Sequence, residues 1–174
     1  MYDDTVSLLA NILLVAAKTA PKAKGIDDLV TKVITNEKEK LAREMEKIAK
    51  ERGKRFEFFS RDAKSVRKSQ CIILIGVKFK EPLGLDCGGC GFNCGEVVKI
   101  RKRGRDFCGP ICAFKLLDLG IAIGSLVFQA KQLCIDNRVM YTIGAAALRL
   151  GLIDADIVMG IPLSVSGKNI YFDR

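Results

Sequence analysis

The sequence predicts an α+β fold in which helices cover a small sheet, with a cysteine-rich segment inserted into it. Three observations predict it. Apolar residues recur at helical spacing near the start of the chain and again, almost without interruption, over 110–134. Two short runs rich in β-branched residues, Cys71–Val77 and 157–161, are bounded by charged and turn residues, as strands buried on both faces are. Between them lies a glycine-rich stretch, 84–112, that holds five of the seven cysteines. No internal repeat or low-complexity linker interrupts the 174 residues, so one domain over 1–174 is expected.

In chain order, Leu8, Leu9, Ile12, Leu13 and Ala16 give the apolar stripe of a core helix that Pro21 and Gly25 end. A second helix is predicted from Asn36 to about Arg52, with Leu41, Met45 and Ile48 inward and Glu39/Arg43 and Glu46/Lys50 paired four apart outside. Both signs interleave on that outer face, which reads as solvated surface rather than a docking site. Cys71 belongs to the first buried strand. Pro110 is expected in the first turn of the long apolar helix, which runs to about Cys134, a packing residue. Gly120 and Gly124 lie one turn apart on that helix and leave a smooth patch, suited to internal packing or to a dimer interface. Asp136 or Asn137 is expected to cap a further helix, 138–150, closed by Gly151. A strand at 157–161, a turn at 166–169 and a terminal strand, Ile170 to Phe172, complete the order.

Composition narrows the function. With 49% hydrophobic residues the chain has enough apolar content for a continuous core. The 29 Lys+Arg against 20 Asp+Glu leave a formal +9, which attracts anionic partners, although each metal-bound thiolate lowers it. Histidine is absent, which excludes His-dependent triads and mixed Cys/His zinc sites. Residues 1–4 carry Asp3 and Asp4 and no basic n-region, so 8–17 does not read as a secretory signal, and it falls short of the roughly 20 residues that span a bilayer. No other stretch reads as long and uncharged enough to cross a membrane. A cytoplasmic chain is expected, and in that reducing compartment clustered cysteines point to a metal rather than to disulfides.

Cys87, Cys90 and Cys94 follow a CxxCxxxC pattern, and Cys108 and Cys112 add CxxxC after 13 intervening residues. Four thiolates converging from short loops suit a tetrahedral or cuboidal centre, and Gly88, Gly89, Gly91, Gly95 and Gly109 let the backbone wrap closely. The first reading is an iron–sulfur cluster, four-iron four-sulfur, on Cys87, Cys90, Cys94 and Cys112, with Cys108 as the alternative fourth ligand. Cys112 is favoured because the start of the long helix stabilises a thiolate. The third spacing is one residue longer than the usual ferredoxin run. The alternative reading is zinc on Cys87/Cys90 and Cys108/Cys112, two pairs separated by 17 residues, near the spacing of a zinc ribbon. The basic run Arg101-Lys102-Arg103-Gly104-Arg105 lies between the third and fourth cysteines. It would oppose the cluster's negative charge or meet an acidic redox partner; with Phe92 and Phe107 the nearest aromatics, nucleic acid is not the expected partner.

From Cys87 onward the sequence resembles a family of uncharacterised proteins described as containing a ferredoxin domain. The residues that carry this are CGGCGFNC at 87–94, DLGIAIGS at 118–125, DNRVMYTIGAAALRLGL at 136–152 and DADIVMGIPLSVSGKNIYFDR at 154–174. Together with LLVAAKTAP ending at Pro21, they also resemble the nitroreductase-like flavoprotein fold. That resemblance implies a mixed sheet flanked by helices, a homodimer built on the long helix, and flavin mononucleotide at the dimer interface. It implies that Lys168 and Arg174 approach the flavin phosphate, and Arg138 is a further candidate. The arginine–serine–arginine motif of those flavoproteins has no counterpart in this sequence, and Lys22, Ala23 and Lys24 replace the small polar residues expected after the Ala-Pro pair. No side chain reads as an acid–base catalyst, so the expected function is electron transfer or flavin-assisted reduction of a small acceptor. The alternative is a zinc-stapled binding module that uses its basic loop to contact nucleic acid or an acidic protein.

Overall fold

The computed structural model of the chain describes residues 3–172. The helices are α1 (Asp3–Thr19), α2 (Lys38–Arg52), α3 (Phe58–Lys68), α4 (Cys94–Ile100), α5 (Ala113–Gln132) and α6 (Tyr141–Arg149). The strands are β1 (Leu29–Ile34), β2 (Cys71–Val77), β3 (Lys102–Arg103), β4 (Cys108–Gly109), β5 (Asp136–Asn137) and β6 (Ile157–Ser164). One four-stranded sheet runs β1-β2-β6-β5, and β3 with β4 form a separate small hairpin. The α+β architecture is the expected one. The sheet, however, is antiparallel in every described pairing rather than mixed, because each strand starts at the end of the sheet where its paired predecessor finished.

β2 is buried along its whole length and divides the interior. Its side chains alternate, as the pleat requires. Cys71, Ile73, Ile75 and Val77 join α1 and α5 in one core, while Ile72 and Leu74 join α2, α3 and α6 in the other. Each fully buried aliphatic side chain contributes about 1.5–3 kcal/mol relative to exposure. In the second core α6 presses directly onto β6: a Cβ on Gly144 would collide with the Val158 carbonyl, and one on Gly160 with Ile143. Asp62 reaches into the same layer and accepts from the Thr142 hydroxyl at 2.8 Å.

Several expectations need correction. The first helix is present, but Val6, Ala10, Leu13 and Ala17 face the core, whereas Leu8 and Ile12 are exposed; the stripe is wider than one packing face can cover. Glu39 does pair with Arg43 at 2.8 Å, but Glu46 takes Arg67 of α3 at 2.6 Å instead of Lys50. Pro110 lies outside α5, since Cys108 and Gly109 are held in the hairpin and the helix begins at Ala113 with Cys112 as its N-cap. Asp136 and Asn137 cap nothing: they pair with Ser164 and Leu163 as β5, and α6 starts four residues later.

Cys134 is exposed rather than packed. It occupies the left-handed position after α5 (φ 56°), where the Cys134 and Ile135 amides close the helix end on the Lys131 and Ala130 carbonyls, and Ile135 takes the core place. Gly151 closes α6 in the same way, as expected. No terminal strand forms over Ile170 to Phe172; the Tyr171 amide donates to Asn169 Oδ1, a local turn bond that replaces a ladder partner. α5 is in fact long and apolar enough to cross a membrane by length and composition. It packs here on α1 and β2 through Leu119, Ala122, Leu126 and Ala130, and its Lys115 is buried in an ion pair, which is how the apolar count and the charge coexist.

Candidate metal centre

The cysteine segment leaves β2 and is fixed at both ends. Phe79 donates its amide to Asp156 Oδ2 at 2.7 Å, and Arg101 pairs with Asp156 Oδ1 at 2.8 Å while lying 4.3 Å over the Phe79 ring. Arg101 is thus part of the scaffold, and only Lys102, Arg103 and Arg105 of the basic run are exposed.

Within the segment, Asp86 accepts from the Cys94 amide at 2.7 Å, eight residues on. This clamp closes one short loop around Cys87, Cys90 and Cys94. The Gly91 amide bonds the Gly88 carbonyl at 2.8 Å, and Gly88 and Gly91 both sit at positive φ (68° and 85°), the conformation that glycine adopts without cost. α4 follows directly, its start held by Glu96 Oε2 accepting from the Asn93 amide at 3.0 Å. Val97 anchors α4 in the core.

The loop meets the start of α5. A Cβ built on Gly89 would touch Ala113 Cβ at 3.5 Å and Cys87 Sγ at 3.6 Å, so the CGGC turn lies against the helix that Cys112 caps. Cys90 packs on the core to which Cys112 belongs, and its Sγ lies 3.5 Å from the Phe92 carbonyl. Cys112 is buried, Cys90, Cys94 and Cys108 are half-buried and Cys87 is exposed. Cys108 stands opposite Arg103 in the hairpin, its amide donates to the Asp156 carbonyl at 3.0 Å, and it lines an apolar groove with Phe107, Pro110 and Ile157. Among the described residues no three Cys, Asp or Glu side chains converge on one metal-sized point. In kind the donors suit a soft metal: thiols with flanking amides and no imidazole.

The two remaining cysteines are apart from this region. Burial pushes the Cys71 thiol up to about 12, and it faces the Val6 carbonyl at 3.8 Å, a packing thiol as expected. Cys134 stands in the open at the far end of α5.

One charged group near the loop was not foreseen. Lys115, 1% exposed, pairs with the equally buried Asp28 at 2.6 Å, with Lys80 3.8 Å from the other carboxylate oxygen. It stands one turn after Cys112. A lysine in the first turn of a mostly apolar helix was the available signal. The flavin-phosphate candidates are not gathered in the same way. Arg138 donates to the Tyr171 carbonyl at 3.1 Å and lies 5.3 Å over Phe172, so it has a structural task. Lys168 is exposed, and Arg174 lies outside the described residues. Lys22 spends its ammonium on the Ala17, Lys18 and Ala20 carbonyls, and Lys24 on that of Leu83. Lys22, Lys24 and Arg138 thus spend donors on backbone carbonyls of their own chain.

A sheet between two helical layers of this kind is the nitroreductase-like fold. Nitroreductase A from Vibrio parahaemolyticus superposes with a TM-score of 0.57 at 12% identity, over 91% of this chain and 58% of that enzyme, so the chain spans little more than half its length. A nitroreductase with bound FMN from Desulfitobacterium hafniense gives 0.57 at 16% identity, over 92% and 78%. A BluB-like flavoprotein from Clostridium difficile gives 0.56 at 17%, over 95% and 83%. Residues 108–174 match the family model described as uncharacterized protein containing a ferredoxin domain. An uncharacterized protein of Archaeoglobus fulgidus is 49% identical over 174 residues, 99% of this chain and 93% of that protein. The chain belongs to this family of ferredoxin-domain proteins.

Proposed function

We propose that the chain is a cytoplasmic one-domain redox protein whose 84–112 segment holds a four-iron four-sulfur cluster on Cys87, Cys90, Cys94 and Cys112, with Cys108 as the alternative fourth ligand. The observation that carries this is the contact of the Asp86-clamped loop with the N-terminus of α5, which brings the CGGC turn beside the helix capped by Cys112. Bound there, the cluster would supply one-electron transfer to an acidic partner or a small acceptor. The chain's own part is to hold the thiolates. Cys112 caps the start of α5, where a helix's first amides have no partner within the helix. Gly89 leaves the Cys87 sulfur free, since a Cβ there would meet it at 3.6 Å, and Val97, Ile111 and Cys112 belong to the buried core on which Cys90 packs.

The same proposal includes a homodimer through the outer face of α1 and α5. Leu8, Ile12, Val15, Leu117, Ile121 and Phe128 are exposed there, and a Cβ on Gly120 or Gly124 would meet nothing within 4 Å, which supports close, self-complementary packing. A zinc-stapled module remains the competing reading because Cys108 and the exposed Lys102, Arg103 and Arg105 share one hairpin beside the CGGC loop's partner helix. Anaerobic purification followed by iron, sulfide and zinc analysis separates the two. Brown protein with acid-labile sulfide and visible absorbance that dithionite bleaches is expected; colourless protein with stoichiometric zinc overturns the cluster.

A further inference from the structure

We infer that the tip of the β3–β4 hairpin, together with the ends of α2 and α6, forms a binding site for the phosphate group of a small anion. Four arginines, Arg52, Arg103, Arg105 and Arg149, line a cleft of about 290 Å³ beside Glu51 and Asp106. The site is distinct from the cysteine loop and from the flavin-phosphate candidates.

Its parts are held by the fold rather than by the ligand. Asp106 is gripped by both terminal nitrogens of Arg52 and by the Tyr141 hydroxyl, which ties the hairpin tip to α2 and α6. Burial would raise the Asp106 carboxyl, but these bonds outweigh it and hold it below the ordinary carboxylate range, so it stays ionised and committed to Arg52. Phe107 meets the Tyr141 ring edge-on at 5.7 Å, and the Gly104 amide closes the turn on the Phe107 carbonyl at 2.7 Å. Arg149 is likewise occupied, by Glu44 at 3.1 Å and Glu51 at 2.7 Å.

Arg103 and Arg105 differ. Neither forms an ion pair among the described residues, and Arg105 rests its guanidinium 5.5 Å over the Phe56 ring, which orients it without neutralising it. Two guanidinium forks with no ion-pair partner among the described residues, lining a fixed basic cleft, match the oxygens of a phosphate, which planar forks bind in bidentate fashion. The volume admits a phosphate or a diphosphate with a small remainder. A cleft of this size holds one or two phosphate groups and not an extended nucleic-acid backbone. Because Arg103 pairs across the hairpin with Cys108, an anion here also steadies the strand beside the metal segment.

The test is calorimetric titration of the full chain with inorganic phosphate, pyrophosphate and ADP, at ionic strength held constant with chloride. Saturable binding is expected, weakened about tenfold or more in R103Q/R105Q, whose exposed substitutions leave the unfolding midpoint unchanged. Equal affinities for pyrophosphate and ADP mean the phosphates alone are read; tighter ADP identifies a nucleotide that also uses Phe56. Absence of saturable binding, binding of succinate as tight as that of phosphate, or wild-type affinity in R103Q/R105Q overturns the proposal. Should the double variant not fold, phenylglyoxal modification of the wild type decides: phosphate must slow labelling of Arg103 and Arg105 relative to Arg43, and equal slowing of all three overturns it.

Discussion

The two helical layers on either side of the sheet are finished differently. On the α2/α3/α6 side the inner faces are apolar and the outer face is a charged lattice, in which Arg67 binds Glu39 at 2.9 Å and Glu46 at 2.6 Å. On the α1/α5 side the inner faces are equally apolar, but the outer face is apolar as well, with Leu8 and Phe128 each 64% exposed. The first layer is complete within one chain. The second, which also carries Cys112 and packs on the cysteine loop, leaves an apolar outer face of the kind that marks an interaction surface. A likeness in core composition therefore hides a difference in what each layer is for.

The largest expected effect is on that uncovered face. Replacing two central apolar residues by lysine, I121K/F128K, removes two anchors at about 2 kcal/mol each and should convert a dimer to monomer in sedimentation velocity, with the circular dichroism spectrum unchanged. A wild type that sediments as a monomer would remove the dimer from the account. Next is the finished layer, where space is the constraint: G144A forces α6 off the Val158 carbonyl and should cost about 3 kcal/mol in denaturant unfolding. Its counterpart G120A has no neighbour to strike. In a separate monomer it should stabilise α5 by up to about 1 kcal/mol through helix propensity, while weakening self-association.

The smallest effect concerns the charged lattice. Hydrogen bonds from Arg67 hold the Glu39 and Glu46 carboxyls below their ordinary range. Both folded values are depressed, so this stabilisation is present above the unfolded carboxylate range, near 4.5, and is lost as pH falls through the folded values. Unfolding midpoints measured on acidification should fall more for wild type than for R67A, and the gap should shrink in high salt. Equal acid sensitivity at low salt would show the lattice to be idle.

How much of this was legible beforehand follows from the range of the interactions. β2, with seven consecutive apolar residues, was readable because burial on both faces leaves a local signature, and α5 because apolar residues dominate both its core face and its exposed outer face. β1 was not, since its exposed Thr31 and Lys32 break the pattern of an edge strand, and α3 was hidden by the dense charges of 61–68. Asp136 and Asn137 look like a cap in isolation, and only the partners Ser164 and Leu163 make them a strand. At the metal segment the cysteines were obvious, but what arranges them was not. Asp86 acts across eight residues, and Lys115 finds Asp28 across the whole first half of the chain. The basic run reads as one unit because it is contiguous, but Phe79 and Asp156 divide it by capturing Arg101.

The claim on which most depends is that the 87–94 loop and the start of α5 supply one centre. Iron and sulfide content measured across single Cys→Ser variants, reconstituted anaerobically, addresses it residue by residue. C87S, C90S, C94S and C112S should each lose most of the iron and sulfide, whereas C134S, whose site is exposed and remote, should retain the wild-type content. Loss in C108S with full retention in C112S would move the fourth ligand to the hairpin. Full retention in C87S, C90S and C94S together would contradict the account.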